Sequence, residues 1–178
     1  MFSPVSSKVS FPELEDRNLK LWKEREVFRR TWDEAADKPL FMLYEGPPTA
    51  NGTPGMHHVL GRVFKDVIPR YKTMQGFKQR YQNGFDGQGL WIEVEQEKEL
   101  GFKSKRDIEA YGVDKFVEGC KERVRRFSET ITQQSVRLGQ WMDWDNSYHT
   151  MSDENNYTIW HFLKVCHEKG WIYEGTDV

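Results

Sequence analysis

The pattern of apolar and polar residues predicts a strand, a turn and a helix early in the chain. Four bulky apolar residues end at Tyr44, and the glycine- and proline-rich segment 45–52 follows them. Because proline cannot donate to a sheet ladder, we predict a short buried strand that stops by Tyr44. Thr53 is a good N-cap, Pro54 suits the first helical position, and apolar residues then recur at helical spacing. This pattern predicts a helix that runs to about Pro69.

A second strand is predicted over 77–82, where apolar and polar residues alternate weakly. Strand, helix and strand would then form a parallel crossover, which is right-handed almost without exception. The glycine-rich loop 83–89 follows, and ligands of open α/β sheets lie at the carboxyl ends of strands. We therefore expect the turn after Tyr44 and the loop after Gln82, with Asp86 in it, to face one crevice.

The rest of the pattern is mainly helical. The predicted helices run from Phe11 to before Lys38, over 91–100, from after Ser104, over 113–138, and from after Ser152 to Gly170. Residues 171–175 are predicted as a third strand, and the aromatic segment 141–145 is interpreted as core filler between helices. The cations of helix 113–138, Arg123 among them, suit either a solvated face or a contact with nucleic acid. The alternatives for these cations stay open.

Composition narrows the class of protein only a little. The chain has 178 residues, 30% of them charged, and a net charge of -2, which describes one modest domain with an ordinary surface and gives no support for nucleic-acid binding. Cys120 and Cys166 are far apart, so we expect reduced thiols and no metal knuckle. No apolar run has membrane-spanning length and no signal peptide is visible, so a cytoplasmic protein without a membrane partner is expected.

Two groups of residues are candidates for chemistry. His57 and His58 lie in the first turn of the predicted helix, where backbone N–H groups and the helix dipole favour phosphate, although adjacent histidines also serve as capping or surface residues. Asp86 lies among glycines, where its carboxylate suits a charge-assisted hydrogen bond to an α-ammonium group. A glycine-flanked aspartate is otherwise common in ordinary turns.

Several stretches carry a resemblance to a known family. Residues 45–52, 64–76 and 84–90, together with 141–144 and 157–173, resemble the amino-terminal part of isoleucyl-tRNA synthetase, a class I aminoacyl-tRNA synthetase. The resemblance covers almost the whole chain. It implies an α/β fold that is the first half of a Rossmann-like parallel nucleotide-binding fold, with an N-terminal helix and helical additions.

The resemblance also implies a division of the chain. Residues 1–178 would be the amino-terminal portion of the catalytic domain, made of an N-terminal helical segment (1–40), the first strand–helix–strand unit with the signature motif (41–90), and a helical region with the start of the connective insertion (91–178). Members of the family are several times longer. The Lys-Met-Ser-Lys-Ser loop and the second half of the fold are not in this sequence, so we expect the chain to be inactive alone.

Site residues follow from the family's signature, His-Ile-Gly-His or a near variant, which aligns with the four residues from Gly55 to His58. Gly55 replaces the first histidine and His57 stands where glycine is usual, so His57 could reach the phosphates while Gly55 opens space for the ring. The resemblance implies that Asp86 holds the substrate's amino group and that Pro47 lines the side-chain pocket. The implied residues are His58 and His57 for catalysis; Gly55, Met56, His57, His58, Thr49 and Asn51 for ATP; and Glu45, Pro47 and Asp86 for the amino acid.

The reaction implied by the resemblance is the ATP-dependent activation of L-isoleucine to isoleucyl-adenylate, followed by transfer to tRNA(Ile). ATP would arrive with Mg²⁺, and no zinc or other protein metal site is expected in this chain. tRNA would be bound mainly by parts outside this chain, and a monomer is expected. One alternative is a non-catalytic, truncated synthetase-like module that binds a partner or tRNA. A free-standing nucleotidyltransferase is disfavoured because Asp86 and its neighbours resemble the synthetase.

Overall fold

The structure is a computed structural model that describes residues 8–176. The chain divides into two compact units that are interleaved along the sequence. Unit 1 comprises residues up to Tyr44, Pro54–Tyr81 and Gln133–Met142, and unit 2 comprises Glu45–Thr53, Gln82–Thr132 and the residues from Asp143 onward. Each unit contains one two-stranded parallel sheet.

Unit 1 contains a strand–helix–strand crossover preceded by two helices. Its elements are α1 (Phe11–Glu24), α2 (Val27–Asp33), β1 (Leu40–Phe41), α3 (Met56–Met74) and β2 (Lys78–Gln79). The two strands are parallel, with Leu40 opposite Lys78 and Phe41 opposite Gln79. The predicted parallel crossover is therefore confirmed, but β1 is shorter than expected and does not reach Tyr44.

The helix predicted from Phe11 to before Lys38 is two helices. Glu26 has a φ of 49°, the left-handed region that an α-helix cannot contain, and it separates α1 from α2. Apolar spacing alone did not reveal this break, because Val27 and Phe28 continue the apolar stripe beyond it.

Helix α3 differs from the prediction at both ends. Gly55, and not Thr53, is the N-cap, and the helix passes through Pro69 and ends at Met74. Proline in a helix interior removes a hydrogen bond and usually ends or kinks the helix. Here Pro69 is buried and its carbonyl oxygen accepts from the Thr73 hydroxyl at 2.9 Å, so the helix continues past the proline.

Trp141 belongs to an aromatic cluster of unit 1, and the interpretation of its segment as plain core filler is incomplete. The Arg70 guanidinium carbon lies 3.9 Å from the centre of the Trp141 ring and 5.4 Å from that of Trp22. The two indoles meet edge to face, with ring centres 5.6 Å apart. A cation therefore lies against the tryptophan, which the local sequence did not indicate because Arg70 is far away along the chain.

Unit 2 is built around a second parallel pair of strands. Its elements are β3 (Gln82–Phe85), α4 (Leu90–Leu100), α5 (Lys105–Tyr111), the part of α6 (Val113–Arg137) up to Thr132, β4 (Asp143–His149) and α7 (Asp153–Glu168). β3 and β4 pair with Gln82 opposite Asp143, Gly84 opposite Tyr148 and Phe85 opposite His149, with an irregularity after Gln82. Three helices form the crossover connection between them.

The strands of unit 2 correct three predictions. The strand expected over 77–82 is interrupted because Tyr81 has a φ of 41°, and β3 continues to Phe85 inside the predicted loop. β4 was not predicted, since its sequence is mostly polar and does not alternate. Within the described residues, 171–176 form no strand and are exposed, so the predicted third strand is wrong.

The helices of unit 2 agree well with the sequence. Gly101 ends α4 with a φ of 73°, and the Ser152 hydroxyl accepts from the Asn155 N–H at 3.2 Å at the start of α7. Asp107 accepts from the backbone N–H of Ser104 at 2.8 Å, which forms a capping box at the start of the helix predicted after Ser104. Hydrogen bonds from the backbone of Lys103 and Ser104 lower the pKa of Asp107.

The core of unit 2 joins its helices to the segment 45–53 and to the end of β3. Five buried side chains form its centre: Ala50, Phe85, Ile92, Val124 and Ile131. Ala50 is fully buried and Phe85 is 2% exposed, so the segment 45–53 and the end of β3 are both fixed to α6. Val117 and Leu138, both within the predicted helix 113–138, are exposed.

None of the helices within residues 8–176 has the length and hydropathy to span a membrane.

Candidate functional site

The segment 45–53 and the loop after β3 are joined by backbone hydrogen bonds. The Asp86 N–H donates to the Pro48 carbonyl at 2.9 Å, and the Ala50 N–H donates to the Asp86 carbonyl at 3.1 Å. Thr49 and Asp86 thus form an isolated parallel bridge at the carboxyl end of β3. The two turns that are expected to face one crevice are thus hydrogen-bonded to each other within unit 2, and the bridge places Thr49 beside Asp86. That they line a ligand crevice stays a prediction.

The Asp86 carboxylate is held by three neutral donors. Its Oδ1 accepts from the Gln88 N–H at 3.0 Å and from the Thr150 hydroxyl at 3.3 Å, while Oδ2 accepts from the Thr49 hydroxyl at 3.3 Å. A carboxylate offers about four lone-pair sites. None of the three donors carries a charge, and three donors leave the half-buried carboxylate one acceptor site for a cationic ligand.

The other predicted residues of this segment take different positions. Glu45 and Pro47 are half-buried in unit 2, beside the bridge between Thr49 and Asp86 along the chain. The Thr49 side chain is exposed, and its hydroxyl serves the Asp86 carboxylate. The contact of Thr49 with ATP that the resemblance implies stays a prediction.

Asn51 braces the segment against two helices. Its side-chain amide donates to the Trp91 carbonyl in the first turn of α4 at 2.9 Å, and its side-chain oxygen accepts from Arg123 Nε at 2.7 Å. Both ends of the side chain are therefore engaged within unit 2. An ATP contact for Asn51 also stays a prediction.

Arg123 is a buried structural residue, a role that the sequence did not predict. Its side chain is buried, donates to the Asn51 backbone carbonyl at 3.2 Å, and also pairs with Glu99 of α4. The expectation that the cations of α6 form either a solvated face or a tRNA contact is wrong for Arg123. Arg123 precedes Val124, a buried residue of the apolar face of α6, and this position is the sequence signal that its side chain could be buried.

Thr150 is the residue of this region that sequence reasoning missed. Its N–H donates to the Phe85 carbonyl at 3.1 Å, and its hydroxyl oxygen accepts from the Gly87 N–H at 2.9 Å. It directly follows β4, which is the strand that the apolar pattern did not reveal. Without that strand, no sequence signal brings residue 150 beside residue 86.

The side chains at the end of β4 are partly shielded from water. His149 stacks on Phe85 with ring centres 5.3 Å apart, its Nδ1 is buried without a hydrogen-bond partner, and burial lowers its pKa. Tyr148 lies over Gly84, where an added Cβ would be 2.1 Å from a Tyr148 ring carbon. Burial and the charge of Asp86 raise the pKa of Tyr148. Only glycine at position 84 leaves room for this ring.

In unit 1, the predicted catalytic histidines lie at the first turn of α3. His58 Nδ1 accepts from the Gly55 N–H at 3.0 Å, so Nε2 is the ring nitrogen that is left to donate. The rings of His57 and His58 have centres 3.9 Å apart, and both side chains are exposed. The Nε2–H of His58 is thus the group that can donate to a ligand.

The exchange of residues in the signature has a steric explanation. A Cβ at Gly55 would lie 3.0 Å from His57 Cε1 and 3.1 Å from His57 Nδ1. Gly55 therefore leaves room for the His57 imidazole. That Gly55 opens space for a ligand ring stays a prediction. Met56 is 82% exposed beside them.

A cleft of about 240 Å³ also lies in unit 1, but away from these histidines. It is formed around Arg62, Arg70 and Gln140. Arg62 is buried and donates to the Gln140 side-chain oxygen at 2.9 Å. None of the predicted site residues lines this cleft, so the signature motif and the cleft are separate features.

No group of three or more His, Cys, Asp or Glu in residues 8–176 is arranged to hold a metal ion.

Comparison with solved structures shows the fold. The chain superimposes on leucyl-tRNA synthetase from Agrobacterium radiobacter K84, in a ternary complex described as agnB2 LeuRS-tRNA-LeuAMS, with a TM-score of 0.68 and 19% identity. The match covers 89% of this chain and 18% of that chain. The predicted Rossmann-like α/β class is confirmed by this likeness and by the two parallel crossovers.

Sequence comparison shows the family. The family described as tRNA synthetases class I (I, L, M and V) matches residues 17–178, and the chain belongs to it. Its curated relatives include the isoleucine–tRNA ligases of Dehalococcoides mccartyi strain 195, 47% identical over 100% of this chain, and of Thermobifida fusca, 42% identical over 97%. The chain spans 18% and 16% of the length of those two ligases. The resemblance to isoleucyl-tRNA synthetase is confirmed.

Proposed function

We propose that this chain is the amino-terminal part of an isoleucine–tRNA ligase and supplies residues for binding isoleucine and ATP. The proposal rests on the match of the whole chain to isoleucine–tRNA ligases, which reaches 47% identity with that of Dehalococcoides mccartyi strain 195. The observation that carries the chemistry is the Asp86 carboxylate, held by three neutral donors at the carboxyl end of β3. The complete ligase would activate L-isoleucine with ATP and Mg²⁺ and transfer it to tRNA(Ile).

For the amino acid, we assign Asp86 to the α-ammonium group. A charge-assisted hydrogen bond between ammonium and carboxylate is stronger than a neutral one. Three neutral donors occupy three of the about four acceptor sites of Asp86, which leaves one for the ammonium group. Pro47 and Glu45, in the segment bridged to Asp86, are assigned to the rest of the amino-acid site. These two assignments follow the resemblance.

For ATP, we assign the first turn of α3, from Gly55 to His58. Unpaired backbone N–H groups and the helix dipole favour phosphate at such an end. His58 Nε2–H adds a side-chain donor whose orientation is set by the Gly55 N–H on the opposite ring nitrogen. His57 and Met56 complete this turn, Thr49 and Asn51 are assigned to ATP by resemblance, and Mg²⁺ would be carried mainly by the triphosphate.

The proposed reaction needs no side-chain nucleophile. A carboxylate oxygen of isoleucine attacks the α-phosphorus of ATP, the bond from that phosphorus to the bridging oxygen breaks, and pyrophosphate leaves with the electron pair. The protein contributes positioning and stabilisation of charge on the phosphate oxygens. Since this chain spans 18% of the Dehalococcoides mccartyi relative, we expect adenylate formation only in a complete ligase. No contact within residues 8–176 favours the alternative of a non-catalytic binding module.

The test is isoleucine-dependent exchange between ATP and labelled pyrophosphate. The enzyme would be a chimeric ligase in which these 178 residues replace the matching part of the Dehalococcoides mccartyi ligase. We expect exchange that saturates with isoleucine and is much weaker with leucine. A chimera that folds but supports no isoleucine-dependent exchange, beside an active parent ligase, would contradict the proposal.

A further inference from the structure

We propose that Thr150 is a positioning residue for the amino-acid substrate, because it holds the Asp86 carboxylate in the orientation that receives the α-ammonium group. This inference rests on the proposed function of Asp86. Thr150 itself is not assigned a contact with the substrate. Its effect would be transmitted through Asp86.

The strand register brings the two residues together. β3 and β4 are parallel, and Phe85 is opposite His149, so Asp86 and Thr150 are the next residues at the same carboxyl edge. The Thr150 N–H donates to the Phe85 carbonyl at 3.1 Å, which extends the ladder by one hydrogen bond. The backbone of Thr150 is therefore fixed relative to the peptide that precedes Asp86.

The Thr150 hydroxyl has a defined direction. Its oxygen accepts from the Gly87 N–H at 2.9 Å, and its hydrogen is donated to Asp86 Oδ1 at 3.3 Å. A hydroxyl has one hydrogen to donate, and this one is committed to the carboxylate. Together with the Gln88 N–H, which donates to the same oxygen at 3.0 Å, it defines the position of Oδ1.

The backbone carbonyl of Thr150 links the loop after β3 to α7. It accepts from the Gln88 side-chain amide at 3.1 Å and from the Asn155 side-chain amide at 2.8 Å. Asn155 belongs to the first turn of α7, where its own N–H is capped by the Ser152 hydroxyl. Thr150 thus contacts four successive residues, 85 to 88, and is itself anchored to a helix.

This arrangement orients the carboxylate before any ligand arrives. A binding group that is already oriented loses less conformational freedom when the ligand binds. Loss of the Thr150 hydroxyl would remove one donor from Asp86 and the acceptor of the Gly87 N–H together. We expect the consequence to be weaker binding of the amino acid, with ATP binding unaffected.

The test compares Thr150→Val and Thr150→Ser in the chimeric ligase, by pyrophosphate exchange at varied isoleucine and varied ATP. We expect Thr150→Val to raise the KM for isoleucine about tenfold, with an unchanged KM for ATP, and Thr150→Ser to restore the original value. Thr158→Val is the matched control, because the Thr158 hydroxyl donates to the Glu154 carbonyl within α7. It should leave both constants unchanged.

A second measurement follows the same hydroxyl in the 178-residue chain itself. Amide hydrogen exchange at Gly87 should be faster in Thr150→Val than in the original chain and should return to the original rate in Thr150→Ser. If Thr150→Val does not fold, Thr150→Ala takes its place in both experiments. A Thr150→Ser variant that raises the KM as much as Thr150→Val would overturn the inference, because the hydroxyl is retained.

Asp86→Asn separates this inference from the proposed function. If Asp86→Asn raises the KM for isoleucine and Thr150→Val does not, the positioning role is wrong and the role of Asp86 stands. If Asp86→Asn has no effect on that KM, the role of Asp86 itself is wrong and the positioning role is lost with it.

Discussion

Arg123 and Asn51 are joined by two hydrogen bonds, one from Nε to the side-chain oxygen at 2.7 Å and one to the backbone carbonyl at 3.2 Å. The same guanidinium pairs with Glu99 of α4. One buried side chain of α6 therefore connects α4 to the segment whose bridge with Asp86 forms the candidate site. The fork of guanidinium donors suits three acceptor atoms on these two residues, whereas a lysine would offer a single point charge.

We predict that Arg123→Ala destabilises the chain strongly. The two hydrogen bonds to Asn51 are charge-assisted and partly buried, so their loss should lower the free energy of unfolding by about 2–3 kcal/mol. Urea denaturation followed by circular dichroism measures this. The control is Arg125→Ala, since Arg125 is exposed and pairs with Glu122 on its own helix. Equal midpoints for the two variants would show that Arg123 is not a structural residue.

Arg70 should be similarly important in unit 1. Its guanidinium lies against the Trp141 ring and pairs with Asp66. The Asp66 carboxylate also accepts from the backbone N–H of Trp141 at 3.1 Å. We predict that Arg70→Ala costs about 2 kcal/mol of stability and alters tryptophan fluorescence, because both the cation–π contact and the ion pair are lost. Fluorescence-monitored unfolding is the measurement. Arg137→Ala, which loses an exposed ion pair with Glu15, should leave the spectrum unchanged.

We predict that the burial of His149 makes the stability of the chain depend on pH. Burial lowers the pKa of His149 below its usual value of 6.5, so the unfolded chain takes up its proton at a higher pH than the folded chain. Stability from this residue is present above about pH 6.5 and is lost as the pH falls toward the lowered pKa. His149→Gln should therefore reduce the fall in Tm between about pH 7 and about pH 5.

The control for His149 is His161→Gln, since His161 is exposed on α7. It should reproduce the pH profile of the original chain. An identical profile for His149→Gln would mean that burial of this imidazole does not contribute to acid sensitivity.

We predict that His58→Ala lowers the rate of adenylate formation in the chimeric ligase. The Nε2–H would donate to charge that develops on phosphate, and loss of one such donor costs about a hundredfold in kcat. Pyrophosphate exchange should show this loss with little change in the KM for isoleucine. His161→Ala is the control, and a His58→Ala variant with the original kcat would remove His58 from the catalytic role.

Much of the helical structure could be predicted from the sequence, because its determinants are local. Glycine at the end of α4, the Ser104–Asp107 capping box and the Ser152 cap all act within a few residues. Apolar spacing also predicted α3, although its end was predicted too early, at Pro69. Local rules are reliable where the contacts that decide an element are close in sequence.

The parts that could not be predicted depend on distant residues. β4 is mostly polar and is a strand because β3 pairs with it across three helices, so neither it nor Thr150 had a local signal. The contact of Arg70 with Trp141 joins residues far apart in sequence. Apolar spacing does not by itself decide burial, since Phe64 on α3 and Trp160 on α7 are 66% and 69% exposed. Resemblance supplied the candidate residues, and the structure supplied their partners.

The most direct test of the account is whether Asp86 recognises the amino group. Titration calorimetry on the chimeric ligase would compare L-isoleucine with its deamino analogue, 3-methylpentanoate, before and after Asp86→Asn. We predict that the original protein prefers isoleucine by at least about a hundredfold and that Asp86→Asn loses at least about tenfold of this preference, since a charge-assisted hydrogen bond is removed. An unchanged preference in Asp86→Asn would contradict the account.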